Sequence, residues 1–141
     1  MTDVTVNEFN RNLIAEFRAN DGTLTGPFAG APMLLLTTTG AKSGRKHTTP
    51  LVYQKVGDAI VVFGSKGGAP THPAWYHNLV ANPVVTVEVP GETFDATART
   101  AVGEERDRIW SAQKELMPGF AEYEAKTDRE IPVVVLERVN G

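Results

Sequence analysis

The chain has 141 residues, a formal net charge of −3 and no cysteine. Its length suits one domain with a buried core, which we predict over residues 1–141, and the negative charge argues against nucleic acid as a partner, because its binders usually carry a basic excess. The lack of cysteine excludes disulfides and thiolate chemistry, and no apolar run approaches the roughly 20 residues that span a bilayer, so we expect a cytoplasmic protein.

The first predicted element is an amphipathic helix over residues 6–18. Its apolar residues recur near helical spacing, with polar residues between them: Val6, Phe9, Leu13, Ile14 and Phe17. A loop rich in glycine and proline follows, so residues 1–25 form a helix and linker and residues 30–139 form the rest of the domain. We expect the apolar stripe to pack on its own domain. A lid over a site and peripheral contact with a membrane stay open as alternatives.

From Met33 onward the sequence is typical of β-structure, and six strands are predicted. Their bounds are 33–39, 48–55, 59–64, 84–89, 92–101 and 131–139. The turn residues 56–58 and 90–91 are those expected between antiparallel strands. Helices are predicted at 73–81, 104–116 and 120–126. Strands in a meander-like order, with helices inserted late, favour a mainly β fold: a closed or half-closed antiparallel barrel with added helices.

The segment TTTGAKSGRKHTTPLVY covers residues 37–53. It runs from the end of the first predicted strand into the second, with a glycine-rich loop between them. Within it, residues 40–47 form what we call the basic loop. Gly40 and Gly44 permit backbone conformations that turn N–H groups toward one point, and the basic side chains can hold phosphate or carboxylate oxygens. These side chains are Lys42, Arg45, Lys46 and His47. The alternative is a solvated hairpin tip.

A second segment, VFGSKGGAPTHPAWYHNLVANP, covers residues 62–83. It begins with a flexible turn that carries the Ser65 hydroxyl and the Lys66 ammonium. The helix that starts near Pro73 then offers free N–H groups to an anionic or carbonyl group. The alternative for Trp75 and Tyr76 is a place in the barrel core.

Two other chemistries are not supported by this segment. His72 and His77 are five residues apart, so they do not share a helical face, and no further ligand stands near them; no metal site is predicted. Ser65 lacks the G-x-S-x-G elbow of a hydrolytic nucleophile.

Several motifs in this order carry a resemblance to a known family. G-A-K-S-G-R, S-K-G-G-A, H-P-A-W-Y-H-N-L-x-A-N-P and T-D-R-E-I-P-V-V-V-L-E resemble the deazaflavin (coenzyme F420)-dependent nitroreductase and quinone reductase family of actinobacteria. The resemblance covers about residues 30–139. It implies a split β-barrel of the FMN-binding-like kind, which binds reduced F420 and passes a hydride to a quinone, an enone or a nitroaromatic acceptor.

The resemblance also implies which residues bind the cofactor. They are Ala41, Lys42, Ser43, His47, Thr48, Thr49, Pro50, Leu51, Val52, Phe63, Gly64, Ser65, Lys66, Ala74, Trp75, Tyr76, His77 and Asn78. F420 carries a phosphate and an oligoglutamate tail, and the basic loop suits that acidic end. Residues 63–66 and 74–78 are implied to frame the deazaflavin ring, with backbone N–H groups near Ser65 and Lys66 polarising its carbonyl edge.

The acceptor side departs from the family pattern. Members that reduce nitroimidazoles carry tyrosines three residues apart before T-D-R, and the corresponding residues here are Met117, Phe120 and Tyr123. We therefore expect reductase activity without nitroimidazole activation, and a catalytic proton from Tyr123, Ser65 or water. The alternative is that Phe120 and Tyr123 pack the short helix against the barrel.

Two other functions stay open at this point. FMN is the alternative cofactor, because the same barrel class includes flavin-binding oxidases, although the basic loop suits a polyacidic tail better than one phosphate. The other alternative is a non-enzymatic cofactor-binding module, or a carrier of haem or fatty acid. The sequence leaves monomer and homodimer equally open.

Overall fold

Residues 6–24, 32–65 and 71–139 are described by the computed structural model, and they contain four helices and six strands. In chain order these are α1 (Val6–Ala19), β1 (Met33–Thr39), β2 (Lys46–Val56), β3 (Ala59–Phe63), α2 (Ala74–Ala81), β4 (Val84–Val89), β5 (Glu92–Thr100), α3 (Gly103–Leu116), α4 (Gly119–Ala125) and β6 (Val133–Arg138). Each predicted element is present, and its ends lie within two residues of the predicted bounds.

The six strands close into one antiparallel barrel in the order β1-β2-β3-β6-β5-β4. The predicted mainly β barrel is therefore confirmed, and of the two predicted forms it is the closed one. The order departs from a meander at one point: β3 pairs with β6, and β4 pairs with β1 instead of β3. Helix α2 follows β3 and carries the chain across to the other side of the barrel, where β4 begins.

Alternation along β1 sends its side chains to opposite faces of the barrel wall. Leu34 and Leu36 belong to the core inside the barrel, together with Trp75 and Leu79 of α2. Leu35 points the other way and is fully buried outside the barrel. The wall is thus apolar on both faces, and α2 closes the inner core.

Helix α1 covers the outer face of β1 and β2. Its Phe17 is buried with Leu35, and Leu13 and Ile14 pack against the same cluster. The Arg18 guanidinium and the Glu88 carboxylate of β4 form a bidentate ion pair, at 2.7 and 3.0 Å. The described part of the apolar stripe therefore packs on its own domain.

The chain leaves α1 through a tight turn at Gly22, whose φ is +88°. The Gly22 N–H donates to the Phe17 carbonyl at 2.8 Å, which ends the helix. Asp21 accepts a hydrogen bond from the Gly91 N–H at 3.0 Å and so fastens this turn to the β4–β5 hairpin. Within the described residues, no helix has the length and apolar character needed to cross a bilayer.

Helices α3 and α4 cover the outer face of β3 and β6. Trp110 and Ile109 of α3 are buried there with Phe63 of β3. The Trp110 indole N–H donates to the Glu124 carboxylate at 2.6 Å, which joins α3 to α4. The two sides of the barrel therefore carry different helices, α1 on β1 and β2, and α3 with α4 on β3 and β6.

Candidate functional site

A groove of about 1470 Å³ lies between α1, the basic loop and the start of α2. The residues that line it are Asn10, Arg11, Ile14, Ala15, Arg18, Gly40, Ala41, Lys42, Ser43, Lys46, His47, Thr48, Thr49, Ala74, Trp75, His77 and Asn78. Ten of the predicted cofactor-binding residues are among them, so the structure brings the basic loop, the start of β2 and the first half of α2 together as one site.

The basic loop is held in shape by its own backbone. The Gly40 N–H donates to the Arg45 carbonyl at 2.7 Å, and the Gly44 N–H donates to the Gly40 carbonyl at 3.0 Å. A Cβ at Gly40 would lie 2.4 Å from the Ser43 hydroxyl and 3.3 Å from the Arg45 carbonyl, so a side chain there would force the loop to shift. Gly44 has a φ of +70°, in the left-handed region that favours glycine. The loop conformation thus favours glycine at both positions, at Gly40 through close contacts and at Gly44 through its positive φ.

Asn78 of α2 connects this loop to the helix. Its side-chain carbonyl accepts a hydrogen bond from the Ala41 N–H at 3.1 Å, and its amide donates to the buried Thr38 hydroxyl at 3.2 Å. Four residues further on, the Asn82 amide donates to the Thr39 carbonyl at 3.3 Å. The basic loop therefore has a fixed position relative to α2.

The groove carries positive charge on two sides. Arg11 and Arg18 come from α1, whereas Lys42 and Lys46 come from the basic loop. Arg18 is paired with a carboxylate of β4, and this hydrogen bond raises the pKa of the guanidinium. Within the described part of the chain, Arg11 and Lys42 are exposed and form no ion pair. These two side chains remain available for an anion in the groove.

The residues of α1 in this groove were missed by sequence reasoning. The prediction placed the site in the basic loop, the first half of β2, the end of β3 and α2, and it treated α1 mainly as a packing helix. The polar residues between the apolar positions of the helix, Asn10 and Arg11, were the available signal. The alternative that the helix covers a site pointed in the same direction.

The other predicted cofactor residues lie away from this lining. Leu51 and Tyr76 pack against the core inside the barrel, and Val52 packs beneath α1. The Tyr76 hydroxyl shares a hydrogen bond with the Thr100 hydroxyl at 3.0 Å. Pro50 is half-buried in β2, opposite Leu35 of β1.

The predicted ring-binding residues after β3 are partly described. Phe63 packs outside the barrel, where its ring lies 5.9 Å from that of Trp110. Gly64 and Ser65 are buried at the end of β3. Lys66 lies outside the described residues.

Gly64 and Ser65 are fixed by Arg129, to which the sequence analysis gave no role. The Arg129 guanidinium donates to the Gly64 carbonyl at 3.0 Å and to the Ser65 carbonyl at 2.9 Å. It also contacts Nδ1 of His72 at 2.9 Å. The T-D-R motif contains this arginine, and that motif was the only signal for it in the sequence.

The three residues predicted to contact the acceptor lie on the α3–α4 side of the barrel. The Phe120 ring packs edge-on against Phe63, with 5.7 Å between centroids, and 5.2 Å from Tyr123. The Met117 sulfur accepts a hydrogen bond from the Gln113 amide at 3.4 Å. Among the described residues these three do not line the groove.

His72 and His77 come closer together than their sequence spacing suggested, with ring centroids 5.9 Å apart. His72 precedes α2, so the helical spacing argument does not apply to it. No group of three or more potential metal ligands occurs among the described residues.

A closed six-stranded antiparallel barrel with added helices is the architecture of the split-barrel, FMN-binding-like class, and here it carries a cationic groove. The sequence profile of the F420H(2)-dependent quinone reductases matches residues 9–138. The chain belongs to this family.

Similar proteins and solved structures agree with this assignment. An F420H(2)-dependent quinone reductase from Mycobacterium tuberculosis is 42% identical over 128 residues, which are 88% of this chain and 86% of the relative. A solved F420-H2 dependent reductase, FDR-A, is 47% identical, with a TM-score of 0.69, and the match covers 75% of this chain and 94% of that one. A second solved structure, described as a domain-swapped dimer, is 40% identical, with a TM-score of 0.72, over 94% of this chain and 100% of that one.

The protein is therefore an oxidoreductase that uses reduced coenzyme F420 as its hydride donor. The resemblance stated from the sequence is confirmed, and the FMN and binding-module alternatives are not favoured. Solved structures that are less than 20% identical share the barrel at TM-scores of 0.54–0.60, and they show the fold alone.

Proposed function

We propose that this protein is an F420H2-dependent quinone reductase whose cofactor lies in the groove between α1, the basic loop and α2. The observation that supports this proposal best is the placement of Arg11 and Lys42 on two different sides of one groove, both exposed and without an ion pair among the described residues. A polyacidic ligand can contact both sides at once, because its charges are spread along a chain.

The residues present fit the acidic end of F420. Its phosphate and oligoglutamate tail need several cations along a path, and the groove supplies cations from the basic loop and from α1. The basic loop also holds a fixed shape through Gly40 and through its bond to Asn78. A single phosphate, as in FMN, would leave one of the two cationic sides unused.

The ring end of the cofactor is assigned to the start of α2 and the end of β3. Ala74, Trp75 and Asn78 line the groove next to the basic loop, and Trp75 is anchored in the barrel core. When bound, reduced F420 supplies the hydride for the acceptor. The protein binds the cofactor, holds it in one orientation beside the acceptor, and needs no nucleophile of its own.

The proton that completes the reduction is proposed to come from Ser65, Tyr123 or water. Ser65 is 8% exposed at the end of β3. Tyr123 is half-buried on the α3–α4 side, together with the other proposed acceptor residues Met117 and Phe120. These roles rest on similarity to the family.

A quinone is the proposed physiological acceptor, because the family and the mycobacterial relative are both quinone reductases. Enones and nitroaromatics are the other acceptor classes to test. We expect the purified protein to oxidise reduced F420 in the presence of a soluble naphthoquinone and to leave reduced FMN untouched. The measurement is steady-state absorbance of F420, with enone and nitroimidazole acceptors in parallel. Turnover with reduced FMN alone, or none with any quinone, would contradict the proposal.

The relative described as a domain-swapped dimer supports a homodimer for this chain as well. Light scattering after size-exclusion chromatography is expected to give twice the 15.3 kDa chain mass. A single-chain mass over the working concentration range would show a monomer instead.

Peripheral membrane contact is not proposed through Leu13, Ile14 or Phe17, because these residues pack against the barrel.

A further inference from the structure

One guanidinium, that of Arg129, joins two separate stretches of chain beside the proposed ring-binding region. It donates to the carbonyls of Gly64 and Ser65, at the end of β3, and contacts His72 Nδ1 just before α2, at 3.0, 2.9 and 2.9 Å. An arginine can do this because its planar fork presents five N–H donors in fixed directions. A lysine has the same charge but no fork.

The surroundings of this contact are closely packed. The Gly64 N–H donates to the Pro132 carbonyl at 2.9 Å, so the end of β3 is also tied to the chain that leads into β6. A Cβ at Gly64 would lie 3.2 Å from Pro132 and 3.5 Å from Pro73. Small shifts of Arg129 would therefore be transmitted to the end of β3 and to the start of α2 together.

The contact also determines the state of His72. A guanidinium only donates hydrogen bonds, so Nδ1 must accept, and the ring must be neutral with its proton on Nε2. The titratable or charged groups facing this ring are Arg129, Tyr76, whose ring centroid is 5.0 Å away, and His77, at 5.9 Å. Burial lowers the pKa of His72, and the positive charges on Arg129 and His77 lower it further.

We propose that Arg129 is a positioning residue of the active site, which holds Ser65 and the first turn of α2 in their working arrangement and requires a neutral His72 to do so. This inference rests on the proposed function, because that function assigns the cofactor ring to these two segments. Arg129 does not line the groove among the described residues, so it acts through the segments that it holds.

The direction of the pH dependence follows from the lowered pKa. Neutral His72 is favoured in the folded protein, so its contribution to stability is complete above the ordinary value of 6.5 and is lost as the pH falls through the lowered pKa. Acid conditions protonate the ring, which then repels the guanidinium and can no longer accept its hydrogen bond. The arrangement of the two segments should fail over that same acid range.

Arg129→Lys keeps the positive charge but removes the planar guanidinium and its fixed N–H donors, so it tests whether the guanidinium geometry is needed. We expect kcat for quinone reduction to fall about tenfold, because misplaced reacting groups lose rate steeply, while the KM for the quinone stays near the wild-type value. Arg108→Lys on α3 is the matched control. A folded Arg129→Lys protein with wild-type kcat would overturn the proposal.

A readout independent of turnover is the titration of His72, followed by NMR of 15N-histidine-labelled full-length protein without cofactor. In the wild type we expect Nδ1 to be unprotonated at neutral pH and the ring to titrate below 6.5. In Arg129→Lys and Arg129→Gln we expect the ring to titrate closer to its ordinary value. Protonated Nδ1 in the wild type, or a titration unchanged by both substitutions, would overturn the inference.

A second variant covers the case in which the Arg129 variants do not fold. His72→Gln cannot gain a proton, so its kcat should lose the acid decline that we expect in the wild type; an unchanged acid decline would count against the inference. Failure of the proposed function can be told apart from failure of this inference. If the proposed function fails, the wild-type protein does not reduce quinones. The histidine titration would still show whether Arg129 and His72 are in contact.

Discussion

Replacing Arg11 and Lys42 together by alanine is expected to weaken F420 binding about 100-fold, and each single replacement about tenfold, as for charge-assisted hydrogen bonds. The two side chains come from α1 and from the basic loop, and both line the groove. Each would contact a different part of the acidic tail, so their losses should add. Folding should be nearly unaffected, because both side chains are exposed.

The measurement is fluorescence titration with F420 at low and high salt. Wild-type affinity should fall strongly as salt increases, and the double variant should respond less, because fewer ionic contacts remain to be screened. Arg108→Ala and Lys55→Ala remove the same charges from residues that do not line the groove, and they should keep wild-type affinity. Equal losses in these controls would mean that only the net charge matters. Unchanged affinity in the folded double variant would place the tail elsewhere.

Gly22→Ala is expected to lower the free energy of unfolding by about 3 kcal/mol. A φ of +88° costs a residue with a side chain roughly 1–2 kcal/mol, and overpacking adds roughly 1–3 kcal/mol. The overpacking is specific: the new Cβ would lie 2.5 Å from Cγ of Pro90 and 2.9 Å from its backbone Cα. Because the backbone of the β4–β5 hairpin is involved, rotation of a side chain cannot relieve the contact.

Gly57→Ala separates the two causes. Gly57 also has a positive φ, +61°, but a Cβ there would meet no atom of the described residues within 4 Å. We expect it to cost only the conformational part, about 1 kcal/mol. Urea denaturation of both variants gives the comparison. Equal losses would show that the approach of Gly22, in the turn after α1, to Pro90 is not as tight as the structure indicates.

The elements of this fold could be predicted because their signals are local. Turn residues such as Gly57 and Gly91 bound the strands, and the apolar periodicity of α1 is visible within a few turns of helix. The pairing of β3 with β6 was not predicted. It joins residues about 75 positions apart, such as Ile60 and Leu136, and no local pattern specifies which distant strand closes a barrel.

The candidate site, like the fold, was predictable where its signals are local in the sequence. Lys42 and Asn78 belong to motifs that the resemblance covers, and the structure places both in the groove. Arg11 lies before those motifs, and it reaches the groove only because the apolar residues on the other side of α1 pack on β1 and β2. Arg129 lies within a motif, but its contacts with Gly64 and His72 depend on the closed barrel. The sequence therefore did not reveal the roles of those site residues that reach the site only through contacts between distant parts of the chain.

The first half of β1 has a further consequence for how this protein folds. Leu34 and Leu36 face the inner core while Leu35 faces α1, so this segment lacks the apolar and polar alternation that normally tells a strand which way to face. Its alignment with β2 must then be set at the polar end, where the basic loop closes through the bond between Gly40 and Arg45. The basic loop, which supplies cations to the groove, thus also sets the register of β1 and β2. The backbone of these few residues therefore serves both the shape of the groove and the register of the strands, whereas an exposed side chain such as Lys42 serves the groove alone.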